Sequence, residues 1–508
     1  MATPSENLAA SLEALRVLQE QGIVAIRTRQ LSRTNRERLL RNGFISEVVK
    51  GWYIPSRPDE LPGESTVWYS SFWAFCADYL NERFGNDWCL SPEHSLTLFA
   101  GDWTVPKQLV VRSPRAGNKP MNLPYSTSLM DVRLAMPAPS DIELNNGLRV
   151  YKLRAGLIAS SPTYFSAQPI VMRAALAAIT DSSVILGPLL EGGHTRIAGR
   201  LAGAFRNIGR AAIADNIVET MRTAGYGVTE TDPFQDQPTV VLSPRERSPY
   251  VNRATMLWQK MREDVLAHFP TPPGTQTDVV GYLRRVDDVY VTDAYNSLSI
   301  EGYRVSAELI ERVRLGDWNP DSSEADRTHR DALAARGYWQ AFQRVKTSVA
   351  RVLKGENAGL VADNDHAAWY RELFGPGIVA GLLRPADLAG YRTGPVFIRR
   401  STHVPPNRDA VRDLMPAFFE LLEKETEAAV RVVLGHFLFV YIHPYFDGNG
   451  RMGRFLMNVM LASGGYPWTV VPVEQRTAYM DALEKASSQG DIVPFTQFLS
   501  KLVRANIE

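Results

Sequence analysis

Cysteine is nearly missing from this chain: 508 residues contain only Cys76 and Cys89. Two such residues offer neither a metal-ligand cluster nor a disulfide framework, and they fit a reducing, cytoplasmic setting. No apolar run reaches the roughly 18 residues of a membrane-spanning helix. The first residues, Met1-Ala2-Thr3-Pro4-Ser5-Glu6, show no charged stretch leading into an apolar one, so neither a secretory signal nor a membrane partner is expected. Charge of one sign is lacking too: the formal net charge is +1, so no global field argues for nucleic acid or a lipid surface. No Gly-Lys dipeptide occurs, which excludes a P-loop and means that any phosphate cradle must be built differently. Repeats and low-complexity tracts are absent. What is present, 45% hydrophobic and 22% charged residues, is ordinary for a globular protein, and the length predicts two to four domains.

Against that plain background one run stands out: His443-Pro444-Tyr445-Phe446-Asp447-Gly448-Asn449-Gly450-Arg451-Met452-Gly453-Arg454. Ala428 to Tyr441 before it is apolar on nearly every face and predicts a buried central helix. Pro444 cannot continue that helix and pushes His443 out of the α region, so His443 sits where a rigid helix turns into a loop. From Arg451 a second helix is expected, with Phe455, Leu456, Val459 and Met460 at helical spacing and Gly464-Gly465 as a stop. Gly448-Asn449-Gly450 lets backbone N–H groups turn inward at a helix N-terminus, where the dipole favours phosphate. Arg451 and Arg454 share a helix face and can fork onto phosphate oxygens. Asp447 offers the hard oxygen that Mg2+ prefers, and His443 is the side chain suited to take a hydroxyl proton near neutral pH. Each fragment alone has a bland reading: a packed histidine, a turn, two solvated arginines. No turn or cap requires all of them in this order.

The run resembles the signature His-x-Phe-x-Asp/Glu-Gly-Asn-Gly-Arg-x-x-Arg of the Fic family, enzymes that move AMP from ATP onto protein hydroxyls. Tyr445 departs from the usual Phe but keeps an aromatic ring. The resemblance implies that His443 deprotonates a Ser, Thr or Tyr of a protein target, the chain itself included. It implies that Asp447 holds Mg2+, that Gly448, Asn449 and Gly450 stabilise the α-phosphate, and that Arg451 and Arg454 bind the β- and γ-phosphates of ATP. Ser297-Leu298-Ser299-Ile300-Glu301-Gly302 resembles the family's inhibitory motif, within a helix expected near 290–302. Ser297 and Glu301 lie four apart on one helix face, and a glutamate delivered to Arg454 would take the arginine that the γ-phosphate needs. Gly390 to Pro406 resembles the family's flap, a β-hairpin whose edge, Val396, Phe397 and Ile398, pairs with a target segment by strand addition. The resemblance covers roughly residues 250 to 508, and Tyr479 is expected near the nucleotide base.

The other half carries a different message. Leu8 to Gln21 predicts an amphipathic helix ending at Gly22, and Ile26 to Asn42 an arginine-rich helix. Phe44 to Ile54, around Lys50-Gly51, gives a hairpin signal. The order resembles a winged helix-turn-helix, specifically the N-terminal domain of antitoxin-type repressors, and implies DNA as a partner with Arg33, Arg36 and Arg38 as contacts. The expected fold is therefore multidomain. Residues 1–58 form a winged helix, 59–229 an α+β domain, 230–253 a linker, and 254–508 a mainly α Fic domain with a hairpin flap. His94 and His194 are expected to be packing or surface residues. Gly355 to His366 and Phe269 to Gln276 read as surface loops. The leading function is Mg2+-dependent AMP transfer held off by Glu301. The alternatives are a DNA-binding regulator that uses the Fic core as a nucleotide sensor, and a Fic enzyme that moves another group or removes AMP.

Overall fold

The computed structural model describes residues 3–58, 65–234, 248–274, 276, 278–316 and 330–507. They divide into two compact units, Met1–Arg253 with Phe397–Val404, and Ala254–Val396 with Pro405–Glu508. Among the described residues no helix is long and apolar enough to cross a membrane.

The first unit opens with a helix, Pro4–Glu20, whose start is closed by Thr3 and Glu6, each side chain accepting from the other's backbone N–H. The arginine-rich stretch is not one helix from Ile26 to Asn42. Ile26–Arg27 is a short strand, Thr28–Gln30 a single 3-10 turn, and the helix runs only from Arg33 to Arg41. Ser32 sets that start, its hydroxyl accepting from the Asn35 N–H. Strands Ile45–Val49 and Trp52–Pro55 then turn about Gly51, and Trp52–Pro55 lies between Ile45–Val49 and Ile26–Arg27 in an antiparallel sheet. Leu15, Ile26, Leu31, Leu39, Ile45 and Tyr53 close a small core beneath it.

The rest of this unit is α+β. A helix, Thr66–Phe84, lays Trp68, Phe72, Phe75 and Leu80 against a four-stranded sheet, and Cys76 lies in the same core. The two longest strands of that sheet, Gln108–Ser113 and Ser128–Arg133, pair in parallel. Helices fill the span from Leu153 to Thr223. The stretch expected to be a linker begins as part of this packing. Phe234 is fully buried and lies under the Arg173 guanidinium at 4.7 Å. Residues 235–247 lie outside the described residues, and a helix, Pro249–His268, already starts within the expected linker. Cys76 and Cys89 are both buried free thiols. His94 is packed, its ring on the Ser91 hydroxyl at 3.1 Å, and burial pushes it down to about 4.

The β-hairpin flap does not form: no strand occurs between Gly390 and Pro406. Exposure alternates from Thr393 to Arg399, as in a strand edge, with Phe397 outward and Val396 and Ile398 half-buried. An isolated two-stranded hairpin is marginal in water, and Pro395, Pro405 and Pro406 cannot donate to a ladder. Phe397–Val404 instead packs within the first unit. The Val105 N–H donates to the Thr402 carbonyl at 2.9 Å, the Arg400 N–H to the Thr66 hydroxyl at 3.1 Å, and Val404 rests on the Trp68 core.

The second unit is helical. Its centre is Ala428–Ile442, in which only Arg431 and Val440 escape burial. At about 2 kcal/mol for each buried Leu, Val or Phe side chain, this helix is the anchor on which the rest is hung. Against it lie Arg408–Lys424 and Asn449–Ser463. Gly355 to His366 is mostly helix rather than loop. Asn357 caps Ala358–Val379 by accepting from the Leu360 N–H, and a Cβ at Gly359 would run into the Leu422–Glu423 backbone. That close crossing is what the glycine permits, and a reading for surface composition misses it.

Candidate active site

The first helix of the site ends at His443, which takes a left-handed conformation with φ 53 and ψ 60 as the C-cap of Ala428–Ile442. Pro444 excludes continued helix after it. A residue with a Cβ pays roughly 1 kcal/mol for that conformation, so the surroundings must hold it, and they do. Arg392, 1% exposed, donates to the carbonyls of His443 at 2.7 Å, Gly394 at 3.0 Å and Ile442 at 3.4 Å, and also to that of Pro406. This clasp was not legible in the sequence, where Arg392 read only as part of the flap.

The imidazole of His443 is oriented by its own helix. Nδ1 lies 3.1 Å from the Val440 carbonyl, an acceptor, so Nδ1 carries the proton and Nε2 keeps its lone pair. Burial lowers its pKa to about 4, outweighing the hydrogen bond with the Val440 carbonyl, which raises it; the Arg392 charge adds to the lowering, and the charges of Glu301 and Asp447 oppose it. At neutral pH the ring is an unprotonated base. Its neighbour His436 is different. Fully buried, it is pushed down to about 3 by burial and the Arg454 charge, and it bridges the Gly453 carbonyl at 2.8 Å and the Tyr479 hydroxyl at 2.7 Å. Tyr479, expected beside a nucleotide base, is 1% exposed and belongs to that buried network.

The loop between the helices is tied by Asn449. Its carbonyl oxygen accepts from the Tyr445 N–H at 2.9 Å and its amide donates to the Tyr445 carbonyl at 2.8 Å. The side chain is therefore engaged in closing the loop, and the backbone of Asn449 and Gly450 forms the first turn of Asn449–Ser463. Gly448 is the N-cap, at φ 82. Tyr445, where the pattern usually has Phe, stacks flat on Tyr370 at 3.8 Å. Asp447 keeps its carboxylate 62% exposed, with one oxygen accepting from the Gly448 N–H at 2.6 Å and the other from Arg451 at 3.3 Å.

The two arginines are almost wholly buried, Arg451 at 1% and Arg454 at 3%. Arg454 meets the helix Val279–Ile300. Its Nε donates to the Ser297 hydroxyl at 2.8 Å, and its Nη2 to the Ser297 carbonyl at 3.0 Å and to Glu301 Oε1 at 2.7 Å. The Glu301 carboxylate also lies against the first turn of Asn449–Ser463, where a Cβ added to Gly450 would collide with it. Burial works against ionising Glu301, but the charges of Arg454 and Arg451 and the hydrogen bond from Arg454 outweigh it and hold the carboxyl below the ordinary range. The ionised carboxylate thus lies beside the first turn of Asn449–Ser463. Arg451 Nε and Arg454 Nη1 are buried donors without an acceptor, which suits them to further anionic oxygens.

A metal would find few protein ligands here. Among the described residues no group of three or more His, Cys, Asp or Glu could hold one. The exposed carboxylate of Asp447 fits an Mg2+ that draws the rest of its shell from phosphates and water, which is the habit of that ion.

This helix–loop–helix, with its histidine, its capped N-terminus and its two buried arginines, falls within a stretch, residues 366–461, that matches the Fic/DOC family. The similarity to that family is confined to those residues. Its relatives include the protein adenylyltransferase Fic of Drosophila willistoni, 34% identical over 231 residues, or 44% of this chain and 43% of that one. The protein of the same name from Nematostella vectensis is 37% identical over 230 residues, covering 44% of this chain and 49% of its own. The chain thus matches less than half the length of these relatives. Among solved structures it is similar to Fic-1 of C. elegans, with a TM-score of 0.36 at 18% identity, over 66% of this chain and 95% of that one.

Proposed function

We propose that the second unit transfers AMP from ATP to a hydroxyl side chain of a protein, with Mg2+, and that Glu301 restrains it. The relatives' activity as adenylyltransferases supports the reaction class. The observation that carries the reading is the Glu301–Arg454 pair, 2.7 Å across a sequence separation of 153, at the N-terminus of Asn449–Ser463. In this reading His443 Nε2 takes the proton of the attacking hydroxyl. The backbone at Gly448, Asn449 and Gly450 faces the α-phosphate, and Arg451 and Arg454 take the β- and γ-phosphates. Asp447 would hold Mg2+, which supplies charge neutralisation on the phosphates. The test is a panel of α-labelled ATP, UTP, CTP and GTP given to the Glu301→Gly protein with and without EDTA. Label is expected from ATP only and not in EDTA; label from UTP alone, or none from any nucleotide, would overturn the assignment.

We infer further that residues 3–58 form a winged helix that binds DNA as an accessory to this activity. The element order, with the last strand central in the sheet, supports it. Arg33 is the most exposed of the three, its side chain 84% accessible and ion-paired with Glu37 at 2.7 Å. Arg36 is partly engaged, on the Thr28 carbonyl and over Tyr53, and Arg38 is spent inside the fold on the Asn7 carbonyl and Ser11. Fluorescence anisotropy with a DNA duplex at low salt should show Arg33→Ala weakening binding and reducing its salt slope by about one. No binding by the parent protein at low salt would remove DNA from its partners.

A further inference from the structure

Beside the arginines lies a cavity of about 400 Å3 lined by Tyr303, Arg330, Leu333, Phe374, Asp447 and Arg451, among others. Tyr303 was singled out by nothing in the sequence, yet it touches two of the cations on this wall. The Arg451 guanidinium lies 5.2 Å from the centre of its ring and that of Arg330 5.4 Å, while Phe374 meets Arg451 at 4.9 Å. Aromatic contact of this kind engages the flat face of a guanidinium and leaves its edge donors pointing elsewhere. One of those donors, Nε of Arg451, is buried and has no acceptor.

Tyr303 reaches this position through the end of the helix Val279–Ile300. Glu301 is its C-cap, and Gly302 follows at φ 88, left-handed. The Gly302 N–H donates to the Ser299 carbonyl at 3.0 Å and the Tyr303 N–H to the Leu298 carbonyl at 3.1 Å. That pair of bonds is the Schellman arrangement, which fixes the chain direction for the two residues flanking the glycine. One corner therefore sends Glu301 to Arg454 and Tyr303 to Arg451.

We propose that Tyr303 is a positioning residue for Arg451, holding its guanidinium so that the edge faces the distal phosphates of a nucleoside triphosphate. The proposal rests on the adenylyltransferase reading above. The corner then has two opposed effects: Glu301 takes one arginine away from the phosphates, and Tyr303 keeps the other one ready for them. Loss of Glu301 alone would leave Arg451 aligned, whereas loss of Tyr303 would free it to turn towards Asp447, which it already touches at 3.3 Å.

The test is calorimetric titration of ATP with Mg2+, and of AMP, into the Glu301→Gly/His443→Ala protein, which binds without turnover. Adding Tyr303→Ala or the bulk-keeping Tyr303→Leu is expected to weaken ATP roughly 3- to 30-fold and leave AMP unchanged. Tyr303→Phe, which keeps the ring, should restore ATP binding. In an Arg451→Ala background Tyr303→Ala should add less than about a twofold change, because the group it positions is gone. Equal ATP affinity for Tyr303→Leu and Tyr303→Phe overturns the proposal, as does parallel loss of ATP and AMP. If the parent variant binds AMP but gains nothing from the two distal phosphates, the phosphate roles of Arg451 and Arg454 fail, and this inference fails with them.

Discussion

Replacing Glu301 with glycine is expected to raise AMP transfer, read as label from ATP on the protein itself, by roughly 10- to 100-fold. The argument runs through Arg454, a 3% exposed cation with three contacts to one helix corner. In the proposed reading a γ-phosphate would compete with the Glu301 carboxylate for the same donor, and a competition worth about 1–3 kcal/mol corresponds to that range. The restraint should not relax at physiological pH. The folded-state pKa of Glu301 is depressed, so the stability its charge contributes is present above the unfolded carboxyl value. It is lost only as pH falls through the lower folded value. The variant should also be less stable without nucleotide, by a few kcal/mol at most, since a buried cation loses its partner. ATP should recover that loss by mass action, seen as a larger ligand-induced rise in Tm than in the parent. A Glu301→Gly protein that labels no faster than the parent would remove the restraint from the account.

Replacing His443 with alanine in the Glu301→Gly protein is expected to lower transfer by about 10²–10⁴-fold, the usual span for a lost general base, while ATP still binds. The pH dependence follows from the same residue. With its pKa lowered to about 4, the imidazole stays neutral well below the ordinary histidine value, so kcat/KM for MgATP should hold level from pH 8 down to about 5.5. A half-point near 6.5 would show that the ring is not held as the structure places it. The sign for stability is opposite to that of a paired histidine. The unfolded chain takes up this proton first, so the folded state loses stability as pH falls from roughly 6.5 towards 4.

How much of this was legible beforehand depends on the range of each interaction. The buried helix, its stop at Pro444 and the second helix after Gly448 are short-range features, and the sequence pattern located them to within a residue or two. The approach of Glu301 to Arg454 spans a separation of 153 and could be suggested only through family resemblance. Arg392 acts 51 residues from His443 through backbone carbonyls, and carbonyls leave no trace in composition. Tyr303, half-buried, and Phe374, buried, likewise look like any packed aromatics in the sequence. The flap failed as a hairpin because a strand edge is completed by its partner, and extended residues without one form no ladder. In the first unit Ser32 broke the arginine-rich helix, and Arg38, taken as a free cation, turned inward to Asn7 and Ser11.

The most direct measurement is the intact mass of the Glu301→Gly protein after incubation with ATP and Mg2+, beside the same protein carrying His443→Ala. The account predicts the added mass of one or more AMP groups on the first and none on the second. An unmodified Glu301→Gly protein, or an adduct that survives the loss of His443, would contradict it.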